Sequence, residues 1–319
     1  MAEPRIAVVG ATGAVGAVTM RLLRERGYEN VRAFASARSA GQVLDGGIAV
    51  EEATHDALAA GDIDLALFSV GTSASRELVP QVVSGGAVAV DKSAAYRLEP
   101  GIPLVVPEVN GASALAHDGI LANPNCSTIP LTCVLKPLHD AAGLRRVRVS
   151  TYQSVSGAGA QRMERLRAEP QEEHNLAMDW TWEGDETDEE SKIRAETQKI
   201  LDLPDLPISA TTVRVPVLVG HAEAVWVELA DSLSAEQATE VLSRAPSVRV
   251  VDVPTPGDAA KTDQVLVGRI RRDRAGENGI ALFLACDNLV KGAALNAIQI
   301  AELVLAKPQP LIRPLAAPA

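Results

Sequence analysis

Three stretches of this chain combine residue types in ways that point to chemistry. In Asn123-Pro124-Asn125-Cys126-Ser127-Thr128, a cysteine stands between the strand-like GILA (119–122) and the apolar helical pattern IPLTCVLKPLHD (129–140). A thiol at such a junction meets the unpaired N–H groups and the positive dipole end of the helix, which stabilise a thiolate. Its polar flanks imply access, so Cys126 reads as a nucleophile. Cys133, on the same helix, and Cys286, inside an apolar run, read as structural.

The second stretch is GATGAVG, with Gly10, Gly13 and Gly16 between the apolar run RIAVVG (5–10) and the helical pattern AVGAVTMRLLRERG (14–27). The spacing is G-x-x-G-x-x-G, one residue off the dinucleotide fingerprint, but the physics is the same. Glycines permit a tight turn and a close backbone approach, and the N–H groups of Thr12, Ala14 and Val15 open toward a pyrophosphate. The third stretch is Ser36-Ala37-Arg38-Ser39, after the second apolar run. NAD-binding chains usually carry a carboxylate there for the ribose 2′-hydroxyl. A guanidinium flanked by Ser36 and Ser39 suits a 2′-phosphate instead, so the expected cofactor is NADP.

A thiolate beside a nicotinamide implies an acyl-enzyme dehydrogenase. The thiolate adds to an aldehyde, hydride leaves for the cofactor, and a thioester remains for a second nucleophile. Such chemistry calls for an acid/base. His55, His117, His139 and His174 lie in polar or helical contexts with no constellation around them, whereas His221 follows Gly220 and stands seven residues after Arg214. On an unbroken strand that separation puts the two on opposite faces; Pro216 and Gly220 allow a bend that turns both toward one pocket.

These residues need elements to position them. RIAVVG, VRAFAS (31–36), IDLALFSV (63–70) and AVAVD (87–91) read as buried strands, with a helix over SASRELVPQVVSGG (73–86) between the last two. Strands alternating with helices predict crossover units, a mostly parallel sheet and an α/β, Rossmann-like doubly wound fold. The second half reads differently: LRRVRVSTYQSV (144–155), 208–230, VRVVDV (248–253), QVLVGRIRRD (264–273) and IALFLACDN (280–288) predict a largely antiparallel sheet with helices on one face, hence an α+β domain. A final helix over 291–306 precedes the proline-rich PQPLIRPLAAPA (308–319), which cannot continue it.

Composition sets the outer bounds. A chain of 319 residues, 47% hydrophobic and 22% charged, suits two globular domains and excludes collagen, coiled coil or wholesale disorder. No apolar run approaches the ~18–20 residues of a membrane span. Three cysteines are too few for a disulfide scaffold, and MAEPRIAVVG lacks a cleavable signal pattern, so a reducing, cytoplasmic setting is expected. A net charge of −11 argues against nucleic acid as a partner. Seven of the carboxylates crowd into DWTWEGDETDEES (179–191), expected as a solvated loop or helix face. No metal site is expected.

Taken in order, GATGAVG, SARSAG, VPEVN, NPNCST, TYQSVSGAGA, AETQKI, RVPVLVGHAEAV, VGRIR and DNLVKGAALNAIQIAE resemble the aspartate-semialdehyde dehydrogenase family over nearly the whole chain. The resemblance implies NADP as cofactor and, in the biosynthetic direction, reduction of L-4-aspartyl phosphate to L-aspartate 4-semialdehyde with release of phosphate. That product feeds lysine, methionine, threonine and diaminopimelate synthesis. It also implies a homodimer, and an organisation of 1–127 as NADP-binding domain and 128–287 as catalytic and dimerisation domain. Residues 288–307 would be a helix returning to the NADP-binding domain, and 308–319 a tail.

Carried over to matching positions, the resemblance makes Cys126 the acyl-thioester nucleophile and His221 the acid/base, with Asn125 and Gln153 placing the substrate. Arg214 would pair with the substrate α-carboxylate and Glu196 with its α-ammonium, while Lys199 and Arg97 would take the phosphate. Ser156, Gly157 and Asn288 would meet the cofactor. Three departures stand out: DKSAAYR (91–97) where the family commonly has DNSSAFR, so that Lys92 adds a cation; HNLAMDWTWEGDETDEES (174–191) in place of an FNVIP-like segment; and a compressed loop TPGDAAKTDQ (255–264). The nearest rival, N-acetyl-γ-glutamyl-phosphate reductase, typically sets its cysteine in an HPGCYPT-like context, and a glyceraldehyde-phosphate dehydrogenase-like role would need an SCTTN-type motif. A noncatalytic NADP-binding relative is the alternative of another class.

Overall fold

The computed structural model describes residues 3–169 and 179–305. His174 and the tail 308–319 lie outside the described residues. The described chain forms two compact units, one of residues 3–124 with 293–305 and one of residues 125–292.

The first unit is a six-stranded, wholly parallel sheet of β1 (Ile6–Val9), β2 (Val31–Ala35), β3 (Val50–Glu52), β4 (Leu65–Phe68), β5 (Val88–Asp91) and β6 (Ile120–Ala122), in the order β3-β2-β1-β4-β5-β6. Short apolar strands with both faces covered are what crossover helices demand. β1 and β4 are buried at every position. The helices are α1 (Ala14–Glu25), α2 (His55–Ala59), α3 (Thr72–Ser84) and α4 (Pro107–Asn110). The strand order reverses between β1 and β4, where doubly wound sheets bind ligands beyond their strand ends.

The chain's last helix, Leu295–Val304, belongs to this unit and is buried from Leu295 through Glu302. An apolar helix returning this late needs polar registration, and two residues supply it. Asn296 Nδ2 donates to Val105 O (3.0 Å) and Asn123 Oδ1 (2.8 Å). Glu302 takes a two-pronged bond from Arg26, just past α1, at 2.8 and 2.7 Å, with both side chains buried. The same carboxylate lies beside the Tyr28 hydroxyl, and burial, then that negative charge, push the phenol up to about 12.

The second unit holds a mixed sheet, ordered β10-β7-β11-β14-β13-β12. Its strands are β7 (Leu144–Gln153), β10 (Ile208–Arg214), β11 (His221–Leu229), β12 (Val248–Val250), β13 (Val265–Arg272) and β14 (Gly279–Cys286); β8 (Trp182–Glu183) and β9 (Glu186–Thr187) form a small separate hairpin. The three central pairings are antiparallel, as expected, but both edges, β10 on β7 and β12 on β13, are parallel. The reason is connection length: parallel neighbours need a crossover. Between β7 and β10 the chain makes α5's successors α6 (Ala160–Ala168) and α7 (Asp188–Leu201), α5 being Thr128–Ala142. The remaining helices are α8 (Ala235–Ser243) and α9 (Pro256–Ala259). α5 packs on the central strands, α7 on β10, and α8 on β12 and β13.

The Arg26–Glu302 pair yields a stability prediction. Removing one partner strands the other charge in the core, which costs about 3–5 kcal/mol. Glu302→Ala is expected to show that loss in urea unfolding, whereas Arg26→Met combined with Glu302→Leu recovers most of it. Equal losses in the single and double variants would show that packing, not charge, dominates there.

Candidate active site

The run 208–230 is two strands, not one bent strand. After Arg214 the chain turns through Pro216 and Gly220, the latter at φ +97°, and re-enters the sheet on the far side of β7. A side chain at Gly220 would put its Cβ 2.6 Å from Pro256 O, so the position is closed to other residues. β10 and β11 therefore flank β7, and Arg214, Gln153 and His221 come to the same end of three adjacent strands. Arg214 is in register with Gln153, and Ala222, next to His221, with Tyr152. This is how an odd sequence separation places both residues in one site.

Cys126 lies just ahead of α5 and is partly exposed, and its Sγ is 3.2 Å from His221 Nε2. The Ser154 N–H donates to His221 Nδ1 (3.0 Å), so Nδ1 is an acceptor and the neutral ring carries its proton on Nε2, facing the sulfur. Ser154 is held in turn: its Oγ donates to Asn288 Oδ1 (3.1 Å), which also accepts from Gly220 N (2.9 Å), while Asn288 Nδ2 donates to Ser156 Oγ (2.9 Å). Gly157 is a glycine for a related reason, since a Cβ there would sit 3.1 Å from Arg214 Nη1 and 3.3 Å from His221 Nε2. Burial, then the Arg214 charge, bring the His221 pKa from 6.5 down to about 3, against a weaker opposing backbone bond at Gly220.

The acidic stretch 179–191 is the solvated face that its charge run predicts only in part: Asp179, Glu183 and Asp185 are exposed, but the carboxylates at the start of α7 turn inward. Thr187 and Glu190 form a reciprocal cap on α7, whose first turn holds Asp188, Glu189 and Glu190, where negative charge meets the positive end of the helix dipole. Glu189 and Glu190 are buried. Glu189 Oε1 accepts from Asn125 Nδ2 and from Gln153 Nε2, both at 2.9 Å, and Glu190 Oε1 accepts from Thr212 N (2.9 Å). Asp179 Oδ1 accepts from Arg214 Nε (3.3 Å), and the Trp180 ring lies 4.4 Å from the Arg214 guanidinium carbon. Charge density alone cannot reveal this, because the donors come from strands and turns far away in sequence.

Glu196 is buried, and its Oε2 accepts the Asn125 N–H (2.7 Å); Lys199, one turn on, is half-buried. Asn125 Oδ1 accepts from Ser127 N (2.8 Å), so one asparagine caps the start of α5 and joins both α7 carboxylates. Sequence reasoning missed Glu223, two residues beyond His221 on the same face of β11. It is fully buried, and neither carboxyl oxygen has a hydrogen-bond partner among the described residues. Burial, then the negative charge of Glu189, push its pKa well above the usual carboxylate range, so it is a neutral acid.

In the first unit, Gly10 turns at φ +86°, and a Cβ there would lie 2.5 Å from Ser69 O; one at Gly16 would lie 2.0 Å from Gly10 O. These two glycines let the loop pack against β4 and its own helix. Gly13 differs, since its Cβ position meets only Gly10 O at 3.4 Å, so its open side is free for a ligand. The backbone N–H groups of Thr12, Ala14, Val15 and Gly16 have no acceptor among the described residues. Ser36 and Arg38 are exposed at the end of β2, and Ser39 Oγ is 3.5 Å from Thr12 Oγ1. The donor set fits a dinucleotide diphosphate with a 2′-phosphate at Arg38.

Lys92 follows β5 and turns its Nζ to Thr19 Oγ1 on α1 (3.1 Å); burial, partly offset by Asp91, lowers its pKa to about 7. Its carbonyl accepts from Arg97 Nη2 (2.6 Å), and Arg97 Nε donates to Asn123 O (3.0 Å).

His221 and Glu223 give opposite pH dependences of stability. His221 is neutral in the fold and protonates near 6.5 once unfolded, so its contribution is lost as pH falls from 6.5 toward 3. Glu223 stays protonated in the fold but ionises above 4.5 once unfolded, so it subtracts stability as pH rises above 4.5. Glu223→Gln is expected to gain on the parent protein as pH rises above 4.5, by at most about 1.4 kcal/mol per pH unit. Urea midpoints across that range measure it; a constant difference would mean Glu223 is ionised in the fold.

Residues 5–117 match the family model described as semialdehyde dehydrogenase, NAD binding domain, and residues 135–291 match semialdehyde dehydrogenase, dimerisation domain. The chain is 44% identical to the aspartate-semialdehyde dehydrogenase of Streptomyces akiyoshiensis, over 95% of this chain and 99% of that one. The Aquifex aeolicus enzyme of the same name is 42% identical, over 94% and 98%. Among solved structures, aspartate semialdehyde dehydrogenase II of Vibrio cholerae complexed with ASA superposes with a TM-score of 0.90 at 37% identity, over 96% of this chain and 99% of that one. The Candida albicans enzyme with NADP does so with a TM-score of 0.75 at 26% identity, over 95% and 99%. The chain belongs to the aspartate-semialdehyde dehydrogenase family.

Proposed function

We propose that this chain reduces L-4-aspartyl phosphate to L-aspartate 4-semialdehyde with NADPH, releasing inorganic phosphate. The observation that carries the reading is the Cys126 Sγ to His221 Nε2 approach of 3.2 Å, with the ring proton directed at the sulfur by the Ser154 N–H on Nδ1. The Gly10–Gly16 turn would hold NADPH, with Arg38 at its 2′-phosphate, and the bound cofactor would supply a hydride.

The residues of the chain do the rest. Cys126 Sγ attacks the acyl carbon as phosphate leaves, forming a thioester, and regains its electron pair when the reduced adduct collapses to the aldehyde. The Nε2–H of His221 stabilises the anionic sulfur before attack; as acid/base it then shares that proton with the adduct oxygen when the oxyanion forms and takes it back when the adduct collapses to the aldehyde. Its depressed pKa leaves the ring neutral at pH 7, so no second cation competes with Arg214 for the substrate. Arg214 takes the α-carboxylate and Glu196 the α-ammonium; Arg97 and Lys199 take the phosphate; Asn125 and Gln153 line the acyl group. Ser156, Gly157 and Asn288 serve the nicotinamide end while bracing His221.

The assembly read here is a homodimer. The second unit's sheet has its helices α5, α7 and α8 on one face. The other face carries Tyr152, Trp226 and Phe283, with the Tyr152 and Phe283 rings 6.1 Å apart and Tyr152 37% exposed. That face is assigned to the second copy. No helix among the described residues is long and apolar enough to cross a membrane.

Two experiments test the function. With L-aspartate 4-semialdehyde, NADP and phosphate, the protein is expected to form NADPH in a phosphate-dependent way and to ignore N-acetylglutamate semialdehyde. Cys126→Ser is expected to lower turnover by about a thousandfold or more with NADP binding retained. A folded, NADP-binding parent silent with both aldehydes sinks the reading. Arg38→Ala is expected to weaken NADP about tenfold or more, with NAD unchanged; equal weakening of both would remove the 2′-phosphate assignment.

A further inference from the structure

Asp179 and Trp180 meet Arg214 on two different sides. A guanidinium offers five N–H donors in one plane, and its use depends on how that plane is set. Nε donates to Asp179 Oδ1 (3.3 Å), Nη1 donates to Ser154 O (3.1 Å) and approaches Gln153 Oε1 (3.5 Å), and the Trp180 ring covers a face at 4.4 Å. Two in-plane contacts on different nitrogens and one stacked ring leave the plane no rotation. The donors of Nη2 have no partner among the described residues.

The surroundings of the guanidinium head are also visible. The Cβ position at Gly157 lies 3.1 Å from Arg214 Nη1 and 3.3 Å from His221 Nε2, so Nη1, which shares its carbon with Nη2, borders the ring that faces Cys126. Asp179 holds Nε and is itself anchored, since its Oδ2 is 3.6 Å from Arg162 Nη2. With Nε held by Asp179 and Nη1 by Ser154 O and Gln153 Oε1, the open donors are those of Nη2.

We propose that Asp179, assisted by the stacked Trp180, is a positioning residue that sets the Arg214 guanidinium so that its Nη2 donors receive the α-carboxylate of the substrate. The proposal rests on the reading of Arg214 as the carboxylate-binding residue. Asp179 touches no reacting atom. It acts by keeping a buried cation neutralised and oriented before substrate arrives, as a second layer of contacts does at other preorganised sites.

The test compares L-aspartate 4-semialdehyde with 3-aminopropanal, which keeps the aldehyde and the amine but lacks the carboxylate. Asp179→Asn is expected to raise KM for the first about tenfold or more, with kcat changed less than about threefold and turnover of 3-aminopropanal unaltered. Asp179→Glu is expected to recover part of the loss, and Trp180→Phe to do better than Trp180→Ala. Calorimetry on the NADP-loaded protein reads the same effect without chemistry: Asp179→Asn weakens L-2-aminobutyrate about tenfold and leaves propylamine unchanged. An unchanged or lowered KM, or an unchanged L-2-aminobutyrate affinity, overturns the proposal, the lowered KM by showing that Asp179 competes with substrate. Equal losses on both aldehydes overturn it as well, since a structural residue acts that way. A parent protein inactive on the semialdehyde refutes the proposed function, and the calorimetric arm still decides the role of Asp179.

Discussion

The Glu189 carboxylate ties together the two halves of the reactive centre. One of its oxygens accepts from Asn125, which caps the helix start behind Cys126, and from Gln153, at the end of the strand beside His221. A loop-to-helix junction and a strand end have no backbone ladder in common, so only side chains can fix their spacing. A buried carboxylate with two amide donors does this with directional, charge-assisted bonds. Its position at the first turn of α7 adds the favourable field of the helix N-terminus. The 3.2 Å sulfur-to-imidazole distance is thus set from outside the pair that uses it.

Strand order supplies the second constraint. Placing β10 and β11 on either side of β7 gathers an arginine, an amide and an imidazole at one sheet end, where Gly220 makes the reversal possible and Gly157 permits close packing against two of them. Because sheet ends are rigid, the histidine needs only one further contact to be oriented, and the Ser154 N–H provides it from the backbone. A backbone donor cannot rotate away, so the proton stays on the nitrogen that faces the sulfur. The hydroxyl and amide bonds among Ser154, Ser156 and Asn288 hold that stretch of backbone in place.

Much of this was legible in the sequence because it depends on local signals. The glycine turn, the buried β-branched strands and the cysteine at a strand-to-helix junction each obey short-range rules, and the parallel sheet followed from their alternation. The site residues were legible chiefly as matches to a known family, since Glu196, Lys199 and Arg97 look like ordinary surface charges when read alone. What stayed hidden depends on long-range placement. The acidic run reads as solvated because composition cannot tell that Asn125, Gln153, Thr212 and Arg214 will bring donors to it. The parallel edge strands were hidden for a similar reason, since β-pattern alone does not show which strands become neighbours.

Glu223 shows how far the same logic extends. A buried carboxyl whose two oxygens have no partner among the described residues is costly for the fold, and the cost is limited by keeping it protonated. Were it ionised, its charge would oppose the Glu189 carboxylate on which Asn125 and Gln153 depend, and it would favour a protonated His221. Neutral Glu223 therefore permits the Glu189 carboxylate and the neutral imidazole to coexist. The alternation of β11 puts Glu223 on the same face as His221, so the strand that delivers the imidazole also delivers this constraint. Arg214 acts on the imidazole in the same sense, its positive charge opposing protonation of the ring. The neutral state of His221 is thus a property of three elements together: β11, which buries the ring, β10, which ends in a cation beside it, and the turn after β7, where the Ser154 N–H occupies the nitrogen that would otherwise take up a second proton.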